Sequence, residues 1–443
     1  MLSRQPILCA IAGKTRHFWR VSRTTADWLF STRHWWAIYL PDWMRRCVRG
    51  NSSREIVMLS VSEMRIDPRI EREARALVGA GYMVKIIYPD ASPPFFHEVP
   101  IDWGPGITFR PIAASAGQYA FNFPWLFGVQ LHSAALEEKP LAYHSHDLPT
   151  ALIGLSAAAK RNAYCVCDFH EWWSENVSWN YELNSWAPHP LEKKLLFRFA
   201  ERLAMKRSDA VVTVCDSIAE ELTQNFSRRK LPVTVVRNIP SLLQNSTTAY
   251  APLRDTLDLP ANQFILLWQG GTGPSRFIEP IIEALKYAPD VTFVIRGPSL
   301  EYYGDDYQKL AAKVGVLERL ALLPPVPSGD VVRAAISADA GIWTLPKLSK
   351  NFYYALPNKI FEYLAAGLPV LAADYPEARK IILPNGIGLC FDPYDPQSIA
   401  EQLNRMVHDR ALLVRMREAI PGVLVKIDAN REWGKIVSIY DTF

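Results

Sequence analysis

The strongest constraint on this chain is a rhythm: from about residue 54 onward, short apolar runs rich in β-branched residues alternate with amphipathic stretches of helical spacing. "EIVMLSVS" reads as a strand, "DPRIEREARALVGAG" as a helix closed by glycine, and "MVKIIYP" as the next strand. Such β-α-β units dictate parallel sheets covered by helices on both faces. The pattern continues through "LAYHSHD", "TALIGLSAAAKR", "AYCVCDFH", "LEKKLLFRFAERLAMKRSD", "AVVTVC" and "DSIAEELTQNF". Residues 231–263, rich in Pro, Asn, Ser and Thr, break it with the composition of a linker. It restarts at "FILLWQGG" and runs to "IGLCFDP". The expected architecture is α/β with two doubly wound domains, 51–240 and 241–425, a basic extension over 1–50 and a final helix over 426–443. Ligands of open parallel sheets bind at the carboxyl ends of the strands, so polar residues just after strands are the candidates for a site in the cleft between domains.

A chain of 443 residues that is 49% hydrophobic can bury two or three cores. Its 49 basic and 45 acidic residues give a net charge of +4, a balance that does not point to nucleic acid as partner. The charge is uneven. Residues 1–50 hold nine Lys and Arg against Asp27 and Asp42, which makes this head +7 and leaves the remaining 393 residues at −3. Trp19, Trp28, Trp35, Trp36 and Trp43 alternate with arginines there, a mixture suited to anionic lipid headgroups; a packing extension, a partner surface and disorder are the competing readings. The six cysteines show no C-x-x-C pair and no zinc-finger spacing, as expected of free thiols in a reducing compartment. Cys165 and Cys167 alternate along a strand and should pack on one sheet face. No stretch approaches the roughly 20 apolar residues of a membrane span. A cytoplasmic protein, peripheral on the inner face of the membrane if the head docks there, is the expectation.

"ALPNKIFEYLAAGLPVLAAD" reads as a turn, a short helix and a buried strand. Asn358 suits an N-cap, Gly367 sits where a helix ends, and Ile360, Phe361, Leu364 and Ala365 form the core-facing stripe. This puts the helix N-terminus at the cleft, where free N–H groups, the positive dipole end and Lys359 suit a phosphate. Glu362, one turn in, can accept hydrogen bonds from vicinal hydroxyls. A plain cap and a carboxylate that only complements the dipole account for the same residues. His146 and His170 each end a strand of one sheet, beside Asp147 and Glu171, where a histidine can bind a hydroxyl, relay a proton or serve structure alone.

The segment "PNKIFEYLAAGLPVLAAD" resembles the signature of glycosyltransferase family 4, retaining nucleotide-sugar enzymes of GT-B fold with two Rossmann-like domains. The resemblance covers residues 54–443 and implies that Glu362 holds the donor ribose. The family pattern is E-x7-E, and Tyr354 stands at the first Glu; Asn351 or backbone amides of "SKNFYYALPNK" are the candidates to replace it. "WQGGTGPSR" resembles the family's diphosphate loop, implying close backbone approach at Gly270, Gly271 and Gly273 and a phosphate fork at Arg276. A Lys expected a few residues later is missing, and Lys359 is placed to compensate. "AYHSHDLPT" and "CDFHEWWSE" resemble the acceptor-side motifs and point to His146, Asp147 and His170.

The implied reaction moves a sugar from a nucleoside-diphosphate sugar to an acceptor hydroxyl with retention, the acceptor being a glycan or lipid-linked glycan of a bacterial surface polysaccharide. His146, Asp147, His170, Arg276 and Lys359 are the expected catalytic residues. Gly270, Gly271, Gly273, Arg276, Asn358, Lys359 and Glu362 are the expected donor-binding residues. The chain contains no D-x-D triplet, so no metal is expected, and the sugar nucleotide is a co-substrate with no further cofactor. A sugar-nucleotide epimerase and a non-catalytic subunit are the alternatives.

Overall fold

The computed structural model describes residues 53–62, 67–90, 101–113, 124–180, 185–226, 233–240 and 249–443. The basic, Trp-rich segment 1–50 lies outside the described residues. The strands are β1 (Glu55–Leu59), β2 (Met83–Asp90), β3 (Ile107–Ala113), β4 (Ala142–His146), β5 (Tyr164–Phe169), β6 (Val177–Asn180), β7 (Ser185–Pro188), β8 (Ala210–Thr213), β9 (Thr234–Val235), β10 (Phe264–Gln269), β11 (Val291–Arg296), β12 (Leu320–Leu323), β13 (Ala340–Trp343), β14 (Val370–Ala373) and β15 (Gly388–Phe391).

They form a seven-stranded sheet, β3-β2-β1-β4-β5-β8-β9, a six-stranded sheet, β12-β11-β10-β13-β14-β15, and a β6-β7 hairpin. Both large sheets are parallel throughout. Strand order reverses between β1 and β4 in the first and between β10 and β13 in the second, the points where crossovers diverge and leave a crevice at the strand ends.

Alternation along each strand decides the packing. In β1, Val57 and Leu59 join one core while Ile56 and Met58 join the core on the opposite face. Cys165 and Cys167 of β5 share the first of these cores and Val166 belongs to the second, so both thiols are packing groups. The linker begins later than its composition implies. Thr234 and Val235 pair with Val212 and Thr213 as the last strand of the first sheet, and Val236 and Ile239 are buried, because ladder hydrogen bonds and burial outweigh the neighbouring prolines.

The final helix, Ala429–Tyr440, lies against the helix Pro68–Gly79 and adds Trp433, Ile436 and Tyr440 to the core behind Ile56 and Met58. The last helix therefore packs over the sheet that holds β1. Polar contacts also join the two large domains: Tyr354 Oη donates to Glu221 Oε1 at 3.0 Å, Trp172 N to Asn351 Oδ1 at 2.8 Å, and Ser217 N to Glu377 Oε1 at 3.0 Å.

One close approach fixes the helix Asn358–Ala365 on its sheet. Tyr363 is fully buried, its hydroxyl accepts from Gln269 N at 2.9 Å, and a Cβ on Gly341 of β13 would lie 2.2 Å from its ring. Only glycine leaves room for that ring. Gly341→Ala is therefore expected to destabilise the protein by about 1–3 kcal/mol through overpacking, seen as a lower urea midpoint at unchanged m-value. An unaltered midpoint would mean that Tyr363 is not clamped against β13.

Candidate active site

On the second domain the site is built from the end of β10 and the first turn of the helix Asn358–Ala365. Pro357, at φ −80° and ψ 147°, takes the N-cap position, so Asn358 is the first helical residue and makes no side-chain cap. The expectation that Asn358 caps the helix is corrected: the extended ψ of Pro357 puts that residue at the N-cap, so Asn358 falls at the first helical position and its amide is not committed to capping. The chain leaves the helix through Gly367, with Leu368 N bonded to Tyr363 O at 2.9 Å and Gly367 N to Leu364 O at 2.9 Å.

Lys359 lies across the strand end, its Nζ 5.1 Å from the Trp268 ring centroid. A Cβ on Gly270, at φ +125°, would sit 2.7 Å from Lys359 Cε, so glycine is what lets the lysine cross. Gly270 N donates to Arg296 O at 2.9 Å and Gly273 N to Tyr307 Oη at 2.8 Å. Both amides are used inside the fold, so these two glycines offer close approach and not phosphate hydrogen bonds. Arg276 stands beside Gly271, whose added Cβ would lie 3.6 Å from its Nε.

The electrostatics of these groups are coupled. Burial, then the Arg276 charge, pushes Lys359 down to about 8, with Glu362 opposing. Burial also lowers Arg276, which Glu171 across the cleft offsets in part. Glu362 is raised by burial while Lys359 and Arg72 hold it down. Arg72 comes from the helix Pro68–Gly79 of the first domain and donates to Asn238 Oδ1 at 2.7 Å. Lys359 and Arg72 thus act on Glu362, while Arg276 acts on Lys359 and Glu171, so three cations share two carboxylates of the cleft.

On the first domain, β4 ends at His146 and β5 is followed by His170. Asp147 adopts φ +65°, a conformation that costs a non-glycine residue about 1–2 kcal/mol. Its side chain offsets that cost by accepting from His170 N and from Trp173 Nε1, each at 3.0 Å. His170 Nε2 lies 3.1 Å from Asp168 Oδ2 and 3.3 Å from His146 Nδ1, and His170 Nδ1 is 3.4 Å from Asp147 Oδ2. Burial disfavours the imidazolium, but Asp147 and Asp168 outweigh it and push His170 up to about 10. His146 is driven well below its ordinary value, first by burial and then by His144. At neutral pH His170 is therefore a cation and donor, while His146 is a neutral ring only 1% exposed that meets the cleft through His170.

Behind them lies a network that the sequence reading missed. Arg69 gives Asp168 a forked pair, Nη2 to Oδ1 at 2.9 Å and Nε to Oδ2 at 3.1 Å, and approaches Glu73 Oε1 at 3.0 Å. Burial opposes the Arg69 charge, yet Asp168 and Glu73 raise its pKa further. Tyr440 Oη is 2.6 Å from His144 Nδ1, and His144 stacks on His146 at 4.5 Å. Donor atoms of Glu73, His144, His146 and Asp168 fall within 4.8 Å of one another, spacing that fits a metal ion. Arg69 already supplies a cation to both carboxylates. Arg69, 2% exposed, lies in the first turn of the helix Pro68–Gly79. The available signal was Arg69 and Glu73 lying i,i+4 beside the apolar stripe Ile70, Ala74 and Leu77.

Tyr354 and Asn351 are both engaged at the junction of the domains. Tyr354 bonds Glu221 and stacks on Trp172 with centroids 6.4 Å apart, and buried Asn351 accepts from Trp172 N, so both join the domains.

Two parallel-sheet domains facing across a cleft, the first strapped by the terminal helix, constitute the GT-B architecture. The chain belongs to the glycosyltransferases: residues 66–238 match the family described as Glycosyl transferase 4-like domain and residues 253–422 match Glycosyl transferases group 1. A D-inositol 3-phosphate glycosyltransferase of Nocardia farcinica is 24% identical over 61% of this chain and 66% of its own. TuaH of Bacillus subtilis, named for teichuronic acid biosynthesis, is 26% identical over 43% of this chain and 47% of its own. The chain spans roughly half to two-thirds of the length of the curated relatives it matches. Among solved structures, Anabaena HepE in complex with UDP-glucose superimposes with a TM-score of 0.66 at 17% identity, covering 88% of this chain and 100% of that one.

The lowered Lys359 generates a measurable expectation. A bound diphosphate would restore its charge, so binding at pH 8 should take up about half a proton. Calorimetry in buffers of different ionisation enthalpy reads this, and Lys359→Met should abolish it. Binding without proton uptake would remove Lys359 from the anion site.

Proposed function

We propose that this chain is a retaining glycosyltransferase that moves a sugar from a nucleoside-diphosphate sugar to an acceptor hydroxyl. The observation that carries the reading is the cluster of Lys359 beside Gly270 and Arg276 beside Gly271, Lys359 coupled to both Arg276 and Glu362, with Arg72 on Glu362 and Glu171 on Arg276. A cleft with surplus positive charge and one hydroxyl-accepting carboxylate is complementary to a ribose joined to a diphosphate. Glu362 takes the ribose hydroxyls, while Arg276 and Lys359 grip the diphosphate at the N-terminus of the helix Asn358–Ala365. As the glycosidic bond breaks, charge grows on the leaving diphosphate, and these groups stabilise it in place before the reaction begins. They provide the needed positive charge without a metal or other cofactor. The leaving phosphate takes the acceptor proton on the same face of the sugar, which retains configuration. His170 serves as a donor to the transferred sugar or acceptor, with Asp147 and His146 orienting it, since an imidazolium cannot act as a base. An acceptor in a surface polysaccharide accords with the name of the Bacillus relative.

A panel of UDP-, GDP- and ADP-sugars tested by thermal shift should single out one nucleotide class. Glu362→Ala and Arg276→Ala should each weaken its binding by about tenfold to a hundredfold, the range for charge-assisted hydrogen bonds. Product anomers read by NMR should retain the donor configuration. Variants that bind like the parent would displace the donor site, binding without turnover would favour a non-catalytic subunit, and an altered free sugar nucleotide would favour an epimerase.

A further inference from the structure

The helix Leu191–Arg207 presents a face that nothing in the described fold covers. Leu191, Leu195 and Phe199 recur every four residues and are 66%, 57% and 47% exposed, whereas Ala200, Leu203 and Ala204 on the other side are buried. Three large apolar side chains in one line on a surface are an unfavourable hydration load unless something dehydrates them. Arg198, Arg202 and Lys206 lie on the same side, with Arg202 and Lys206 exposed and Arg198 at 43%. One of the two acidic residues of the helix, Glu201, is turned inward, where it accepts from Ser174 N at 2.8 Å. Apart from the exposed Glu192 in the first turn and Glu175, 4.0 Å from Arg198, the outer face is thus apolar along its N-terminal half and cationic along its flank and C-terminal half.

Its place in the fold gives the face a use. The helix packs on the turn Trp173–Glu175, three residues past His170, and β7 just before the helix touches the Pro274–Arg276 turn of the second domain. The apolar half therefore sits at the rim of the cleft, on the side of His170.

We propose that this face is where the protein lies on an anionic bilayer, with Leu191, Leu195 and Phe199 entering the interface and Arg198, Arg202 and Lys206 meeting the headgroups. Charge complementarity selects this occupant: a row of apolar side chains with a cationic flank suits a surface that is negative outside and apolar within. Docking there turns the cleft mouth toward the membrane and makes an amphiphilic, membrane-held acceptor the class that enters it. The acceptor assignment rests on the glycosyltransferase reading, whereas the docking itself does not.

The test is flotation of the full chain with phosphatidylcholine vesicles with and without phosphatidylglycerol, comparing the parent with Leu195→Glu/Phe199→Glu and with Arg202→Glu/Lys206→Glu. The parent should float with the anionic vesicles, several-fold less with neutral ones or in high salt, and each double variant should lower the bound fraction by about tenfold or more. Unchanged Tm and nucleotide binding would show the variants folded. A parent that does not float, or variants that float as well as it does, would overturn the proposal, the second result assigning docking to another segment such as residues 1–50. A parent that is dimeric without vesicles and becomes monomeric in the Leu195→Glu/Phe199→Glu variant would also overturn it, by placing a second copy on this face. Flotation with no binding of any sugar nucleotide would instead leave docking intact and sink the proposed function.

Discussion

The fork between Arg69 and Asp168 is the contact on which the cluster of His144, His146 and His170 in the first domain depends. It joins the first turn of the helix Pro68–Gly79 to the end of β5, and Arg69 also donates to Val236 O at 2.9 Å where the chain leaves the first sheet. Trp433 of the terminal helix covers the guanidinium at 5.7 Å. Breaking one partner of so deeply buried a pair typically costs about 3–5 kcal/mol, because the other charge is left desolvated. The same Asp168 carboxylate then reaches His170 and, through the stacked His146 and His144, Tyr440. Core, chain terminus and cleft thereby share one charge.

This sharing sets the chemistry of the two faces of the cleft. Asp168 is held well below the ordinary carboxylate range: burial works against its ionisation, but Arg69 and His170 prevail. An ionised Asp168 with Asp147 keeps His170 cationic. Opposite them, Lys359 and Arg276 crowd one another in a poorly hydrated space that Glu362 only partly neutralises. The second-domain wall of the cleft is therefore deficient in negative charge. Such an arrangement is costly while the cleft is empty and is relieved by an anion, which is the differential interaction a binding site needs.

Much of this was legible in the sequence because parallel sheets write themselves plainly. Strands buried on both faces appear as apolar runs and helices between them keep the 3.6 period; the candidates Lys359, Glu362, Asp147 and His170 stand out by their places at strand ends and a helix start, whereas Arg276 was a candidate only through the resemblance of "WQGGTGPSR". What escaped depended on distance in the chain. The partners of Asp168 and His144 come from helices at opposite ends of the sequence, and no local spacing announces that Arg69 or Tyr440 will meet them. Tyr354 was legible as a departure from the family pattern, but not as a donor to Glu221, since that contact exists only after the domains meet. Asn358 lost the cap because the helix starts one residue earlier than the capping preference implied, with Pro357, extended at ψ 147°, at the N-cap.

The central claim is that the diphosphate of a sugar nucleotide binds where Arg276 and Lys359 meet the end of β10. A crystal structure with a bound nucleoside diphosphate tests it most directly. The account predicts phosphate oxygens within hydrogen-bond distance of Lys359 Nζ and the Arg276 guanidinium, with the ribose hydroxyls on Glu362. A diphosphate bound elsewhere, with those three side chains unengaged, would contradict it.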